Sequence, residues 1–335
     1  MGLEILKPGM LTTLQDKGRY GYQKEGIITS GAMDTFACRV ANMLAGNAED
    51  EAVLEITLIG PTIRFTEDQL IALTGADLSP ELNGEQVAMW RPLLVKKGSV
   101  LSFGAPVSGC RAYLAVSGGF TIPKLMGSYA TYLQAGIGGY QGRALQAGDL
   151  IACHSPTPAG IALFPQATDA TDVPDYIAAS WTPDPQFYPD YTPNPTLRVI
   201  KGPEYELFSG NSQEQIWSER FQVSAQSDRM GYRLQGASLY LCEEAELIST
   251  AVTFGTVQVP PHGNPIVLMA DHQTTGGYPR ILQVVRVDLP ILAQVAPGQT
   301  IEFEEVSLEE AQQLYIRREQ NLTQLARAIQ LKHNL

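Results

Sequence analysis

Residues 155–195 read SPTPAGIALFPQATDATDVPDYIAASWTPDPQFYPDYTPNP, and they part the chain in two. Nine of the 22 prolines fall in these 41 residues: Pro156, Pro158, Pro165, Pro174, Pro183, Pro185, Pro189, Pro193 and Pro195. Proline fixes φ and has no amide hydrogen to donate, so this density excludes a central strand or a long helix. Residues 156–196 therefore read as a connection between two β-rich domains, 1–155 and 197–306, followed by a helix over 307–335. Trp181, Phe187, Tyr188 and Tyr191 give the connection apolar surface, so parts of it are expected to pack on a domain. A length of 335 residues agrees with two domains at about 100–200 residues each.

On both sides of the connection, β-branched and aromatic runs predict short strands over 3–7, 53–59, 62–66, 70–74, 111–116, 197–200, 266–270 and 281–288. Asn83-Gly84, between 81–82 and 85–88, predicts a hairpin turn, because both residues tolerate positive φ. The 31 glycines and 22 prolines suit many turns between short strands. Two helices stand out. Over 33–45, Met33, Phe36, Ala37, Val40, Ala41 and Leu44 recur at helical spacing, with Gly46 as a stop. Ser307 and Glu310 fit a capping box that opens the C-terminal helix. Its apolar positions Leu308, Ala311, Tyr315, Leu322, Leu325 and Ile329 follow a 3-4 spacing broken by Arg318. That break favours a helix packed on its own domain over a coiled coil.

The chain carries 23 basic and 35 acidic residues, a net charge of −12, without a basic patch, which disfavours nucleic acid and anionic membranes as partners. The first residues show no basic or apolar leader, and no apolar run reaches the ~18–20 residues that span a bilayer. Cys38, Cys110, Cys153 and Cys242 are far apart, as expected of reduced thiols in the cytoplasm. There is no phosphate-loop motif, no G-x-S-x-G elbow and no H-E-x-x-H. Gly136-Ile137-Gly138-Gly139 does not fit a dinucleotide fingerprint. The four histidines (His154, His262, His272 and His333) lack zinc-ligand spacing, so no metal site is expected.

Three polar, glycine-rich segments remain as site candidates. The first runs from Thr12 to Arg19 and continues at Gly31-Ala32-Met33-Asp34, placing Gln15, Asp16, Arg19 and Asp34 in or beside loops. Asp34 reads equally as a helix cap, and Asp16 with Arg19 as a local salt bridge. The second, 224–234, carries Arg229 and Arg233, which suit a carboxylate or phosphate; the alternative is an internal ion pair with an acid such as Glu55. Glu55 itself lies in an apolar strand. Alternation points it outward by default, and a buried pair is the alternative. The third segment is the densest. Gln258 leads through Pro260-Pro261-His262-Gly263 to an apolar strand, and then to Asp271-His272-Gln273-Thr274-Thr275-Gly276-Gly277-Tyr278. A rigid strand delivers a carboxylate, an imidazole, an amide and two hydroxyls on one loop, and the glycines open the backbone to a ligand. An elaborate turn satisfying its own backbone is the competing account.

The strings TTLQDKGRYGYQ, GAMDTFACRVANMLAGN, LEITLIGPTIRF, RAYLAVSGGF, AQSDRMGYRLQG, GTVQVPPHGNPIVLMADHQTTGGYP and VSLEEA, in this order, resemble the biotin-dependent carboxyltransferase, or allophanate hydrolase subunit 2, family. The match spans about Gly9 to Ala311, and a chain of this length is most similar to the stand-alone PxpC- or KipA-type branch. The resemblance implies a mainly β fold of two cyclophilin-like β-barrel domains, with a few short helices and a C-terminal helix. It implies a 5-oxoprolinase complex that opens 5-oxo-L-proline to L-glutamate with ATP, formed with PxpA-type and PxpB/KipI-type subunits and inactive without them. Two alternatives are a binding protein that sequesters a KipI-type kinase inhibitor, and a carboxyltransferase acting on a small amide such as urea. Biotin is not expected to serve, because the biotin carboxylase module and the A-M-K-M segment of the larger relatives are missing here. ATP-driven lactam opening asks for a carboxylate clamp, oxyanion donors and phosphate ligands. Asp271, His272 and Asp34 are the expected catalytic groups. Arg229, Arg233, Gln258, Gln273, Thr274, Thr275, Gly276, Tyr278 and Gln15 are the expected substrate or phosphate ligands.

Overall fold

The computed structural model describes residues 2–163, 175–243 and 247–332. Pro165, Pro174, His333 and the last three positions of the expected C-terminal helix lie outside the described residues. The fold is mainly β and divides into two compact units. The first holds Met1–Arg19, Asp34–Pro189 and Gln320–Leu335; the second holds Tyr20–Met33 and Asp190–Glu319.

In the first unit the strands form two six-stranded sheets. One runs in the order Leu150–Ala152, Gly2–Lys7, Thr62–Phe65, Val100–Phe103, Pro80–Leu82, Glu85–Gln86. The other runs Tyr176–Ala178, Pro92–Val95, Gln69–Asp77, Ser108–Val116, Val53–Thr57, Leu11–Gln15. One core draws on both: Leu3, Ile5, Ile63 and Phe65 from the first, Leu14, Leu54, Ile71 and Leu114 from the second. The Asn83-Gly84 hairpin forms as expected, with φ of 52° and 87°, the left-handed pair a tight hairpin turn requires.

Helix Thr35–Leu44 packs on the second sheet, where Thr74 Oγ1 donates to the Ala37 carbonyl at 2.7 Å. The sheet is thus covered on both faces, and all five residues of Val53–Thr57 are buried. The outward reading of Glu55 is corrected for this reason: alternation yields an exposed face only where one side of a sheet meets water. The strand also stops at Thr57, short of the expected 59, because Leu58 adopts φ 57°.

The proline-rich stretch is more structured than a plain connection. Thr157 caps a short helix, Pro158–Ala162, by accepting from Gly160 N at 2.8 Å. Tyr176–Ala178 adds to Pro92–Val95 as an edge strand, a place that tolerates flanking prolines. Tyr188 stacks on Trp90 with ring centroids 4.2 Å apart. These contacts place the stretch up to Pro189 in the first unit. The linear division at 155 and 196 is replaced in a second respect, because Tyr20–Met33 joins the second unit, where Met33 is fully buried in the core.

The second unit is a closed seven-stranded barrel. Its strands follow the order Thr196–Lys201, Arg280–Val284, Thr256–Gln258, Ile266–Leu268, Gly231–Gln235, Phe221–Val223, Thr300–Glu305. The last pairs in parallel with the first to close it. Leu197, Val199, Tyr232, Leu234, Val257, Val267 and Ile281 fill the interior. A ribbon of Thr250–Ala251 with Thr275–Gly276 stands beside the barrel strands. Helix Leu308–Lys332 begins with the Ser307 hydroxyl accepting from Glu310 N at 3.1 Å, one half of the expected box. Its turns up to Glu319 belong to the second unit and those from Gln320 to the first. Among the described residues no helix is long and apolar enough to cross a membrane.

Candidate functional site

Barrel strand Ile266–Leu268 delivers Asp271 to a buried position, 4% exposed. Its carboxylate receives two guanidinium N–H groups of Arg229, Nε to Oδ2 at 3.0 Å and Nη2 to Oδ1 at 3.0 Å. The Ser30 hydroxyl donates to Oδ1 at 2.6 Å, and Arg229 Nη2 also donates to the Gly31 carbonyl at 2.5 Å. Asp271 N donates to the Arg229 carbonyl at 2.7 Å. Three distant pieces of chain are thereby locked at the root of the loop. The bidentate geometry and the hydroxyl compensate two charges that burial would otherwise penalise. The internal-pair alternative thus holds for Arg229, with Asp271 as the acid in place of the example, Glu55. Arg229 therefore acts as an internal cation that holds the loop.

The next residue on the loop is His272. His272 Nδ1 lies 2.6 Å from the Gln273 carbonyl oxygen. A carbonyl only accepts, so Nδ1 carries the hydrogen and Nε2 presents a lone pair. Burial pushes the imidazole below its ordinary value of 6.5, against smaller opposing effects of that hydrogen bond and of Asp271. A neutral ring whose Nε2 accepts no hydrogen bond from the described residues has the chemistry of a general base.

Beyond it, Gln273 and Thr274 are half-buried, while Thr275 and Tyr278 are exposed. Gln258, 4% exposed, has an enclosed Oε1 without a hydrogen-bond partner among the described residues. Arg233 is separate from Arg229. On strand Gly231–Gln235, Tyr232 and Leu234 point into the barrel and Arg233 out, where its guanidinium makes no hydrogen bond to the described residues.

Asp34 and Gln15 belong to the first unit and to its packing. Asp34 is the cap of helix Thr35–Leu44, accepting from Ala37 N at 2.8 Å. Its own N–H donates to the Tyr113 hydroxyl at 2.7 Å, and that hydroxyl donates to Glu55 Oε2 at 2.9 Å. Burial, then the charges of Glu55 and Asp34, push the Tyr113 phenol well above its usual value, so it serves as a donor. Gln15 Nε2 donates to Thr13 Oγ1 at 3.0 Å and to the Thr131 carbonyl at 3.2 Å. Asp16 accepts from Ser128 Oγ at 2.7 Å and Tyr129 N at 2.6 Å. Arg19, fully buried, donates to the carbonyls of Leu125 at 3.1 Å and Ala130 at 3.0 Å. These two residues thus organise the loop around 125–131.

Ser30 lies in none of the quoted strings, the only signal near it being the adjoining glycine, and nothing in RAYLAVSGGF singles out Tyr113 as a site residue. Among the described residues no three His, Cys, Asp or Glu side chains converge as metal ligands.

The chain is 42% identical over 310 residues to the C-type subunit of 5-oxoprolinase from Escherichia coli, covering 92% of this chain and 93% of that one. It is 40% identical to the C-type subunit of 5-oxoprolinase from Haemophilus influenzae, covering 99% and 100%. Among solved structures it is similar to Kluyveromyces lactis urea carboxylase, with a TM-score of 0.84 and 30% identity over 96% of this chain and 29% of that one. The pattern of the family described as "Carboxyltransferase domain, subdomain A and B" matches residues 25–305, from within the segment that joins the barrel unit to the end of the last barrel strand. With that span and those relatives, this chain belongs to the carboxyltransferase domain family of subdomains A and B.

Proposed function

We propose that the chain is the C-type subunit of an ATP-dependent 5-oxoprolinase, working in the cytoplasm with PxpA- and PxpB-type subunits to open 5-oxo-L-proline to L-glutamate. The observation that carries this is 40–42% identity, over nearly the whole of both chains, to two proteins named as the C-type subunit of 5-oxoprolinase. The loop 271–278 supplies compatible chemistry. Hydrolysis of the lactam adds water across its C–N bond; the oxygen goes to the carbonyl carbon and the leaving nitrogen takes a proton. His272 Nε2 accepts the proton of the attacking water and returns it to that nitrogen. The hydroxyls of Thr274 and Thr275 donate to the oxygen on which charge develops. Asp271, locked by Arg229 and Ser30, holds the loop in place. Arg233, exposed and unpaired among the described residues, meets the substrate carboxylate or a phosphate of ATP. ATP is the co-substrate of the assembly, a second water taking its γ-phosphoryl group in the same turnover so that ADP and phosphate leave with glutamate; biotin takes no part.

The test is turnover by the assembled subunits. Arg233→Ala is expected to lower 5-oxoproline-dependent ATP hydrolysis more than tenfold while the three subunits still co-purify; unchanged kinetics refute the role of Arg233. Turnover by this chain alone refutes its being one subunit of the catalyst. A second reading, carboxyl transfer to a small amide, is favoured by the 30% identity to a urea carboxylase. Avidin separates the two: it leaves an oxoprolinase active and stops a biotin-dependent transfer.

A further inference from the structure

The far end of loop 271–278 is held by a second ion pair. Arg280 opens barrel strand Arg280–Val284, two residues after Tyr278. Glu204 receives three of its N–H groups: the main-chain N at 3.0 Å and Nε at 2.8 Å, both on Oε2, and Nη2 at 2.6 Å on Oε1. A glycine brings the acid there. Gly202 N donates to the Ile281 carbonyl at 2.8 Å, and a Cβ on Gly202 would stand 2.1 Å from the Arg280 carbonyl oxygen. Only a residue without a side chain lets the turn lie so close to the strand, and Glu204 follows two positions later. The hydrogen bonds from Arg280 hold the Glu204 carboxyl below its usual range, against the effect of burial, so the pair is charged at neutral pH.

The remaining guanidinium nitrogen serves the ribbon. Arg280 Nη1 donates to the Ala251 carbonyl at 3.3 Å. Ala251 stands opposite Thr275, and Val252 N donates to the Thr274 carbonyl at 3.2 Å. A run of direct contacts therefore joins Glu204, Arg280 and strand Thr250–Ala251 to both threonines of the loop.

We infer that Arg280, held by Glu204, is a positioning residue for the hydroxyls of Thr274 and Thr275. The guanidinium fork suits this task, because two donors grip the carboxylate in one plane while a third reaches the ribbon. A lysine ammonium is a single point of charge and cannot do both. The loop is thus tied at each end, by Arg229 on Asp271 and by Arg280 on Ala251, with His272 and the threonines between. Misplacing a catalytic group by about 1 Å can cost on the order of 100-fold in rate. The catalytic consequence rests on the oxoprolinase reading, in which these hydroxyls meet a developing oxyanion; the tie itself rests on the contacts alone.

The test compares Arg280→Lys and Glu204→Gln with the unaltered chain, first alone and then in the assembled subunits. Both variants are expected to fold, because the barrel core of Val199, Val257, Ile281 and their neighbours does not include the pair. In Arg280→Lys the Val252 amide is expected to exchange hydrogen at least tenfold faster, and the Thr274 and Thr275 methyl signals to shift by NMR. The amide of Val223, bonded to the Gln299 carbonyl elsewhere on the barrel, is expected to keep its rate. In the assembly kcat for 5-oxo-L-proline is expected to fall at least tenfold with KM within threefold, because an oxyanion donor acts in the transition state. Glu204→Gln is expected to move the same readouts less, and it carries the test should Arg280→Lys fail to fold. Unchanged exchange and threonine signals overturn the inference. So do equal acceleration at Val223, which marks general loosening, and an unchanged kcat with a raised KM. An unaltered assembly without turnover refutes the oxoprolinase reading, while exchange and the methyl signals still decide the tie.

Discussion

Asp271 and Arg229 bear most directly on the site, because a buried ion pair is bound by constraints that neither residue shows alone. Their side chains are only 6% and 7% exposed. Removing one partner leaves an uncompensated buried charge, so Arg229→Met is expected to destabilise the chain by about 3–5 kcal/mol, read from urea unfolding. The double variant Arg229→Met with Asp271→Leu is expected to recover part of that loss, since no charge is then stranded; a double variant less stable than the single contradicts the assignment.

His272 makes a pH prediction at the same level. Its folded pKa is lowered, so between that value and 6.5 the unfolded chain binds a proton that the folded one refuses. Its contribution to stability is therefore complete above pH 6.5 and declines as pH falls toward the folded value. The histidine signal lost in His272→Gln should titrate below 6.5 by NMR, and a midpoint at or above 6.5 counts against a buried neutral base. The dense polar loop 271–278 is visible as a site candidate from composition, because few other segments gather an acid, an imidazole, an amide and hydroxyls. The partner of Arg229 is not visible, because Asp271 is 42 positions away and Ser30 another 241 from it.

Among the elements, helix Thr35–Leu44 is legible from its 3-4 apolar spacing and its cap. Asp34→Ala removes the acceptor for Ala37 N and is expected to cost about 1–2 kcal/mol, measured by thermal or urea unfolding. Asp34→Asn, which keeps an acceptor, should cost less; equal losses would assign the effect to something other than capping. The strands are legible as elements, and their lengths depend on particular residues such as Leu58, whose positive φ ends one of them. Glu55 shows the limit of alternation. Period-two spacing identifies the two faces of a strand, whereas the helix laid on the outer face determines whether either meets water.

For the molecule as a whole, the thiols provide an integral check on packing. Cys38 and Cys110 are buried, and burial is the largest cause of their raised pKa values. Burial also pushes Cys153 up to about 12. Cys242 alone is exposed. One rapid equivalent of a thiol-specific reagent is expected on the native chain at neutral pH and four in urea; two or more rapid equivalents contradict the packing around the other three.

Composition and local pattern are enough for a mainly β chain, its two helices, its hairpin turn and a glycine-rich candidate loop, because strand and helix periodicity, capping and turn chemistry act over a few neighbours. Motif order is enough for the family. Three-dimensional packing was needed to bring Tyr20–Met33 to the barrel unit, to lay the proline-rich stretch on the first unit, to pair Arg229 with Asp271 and Ser30, and to bury Glu55. These outcomes depend on which distant surfaces exclude water from one another, and local spacing carries no record of that.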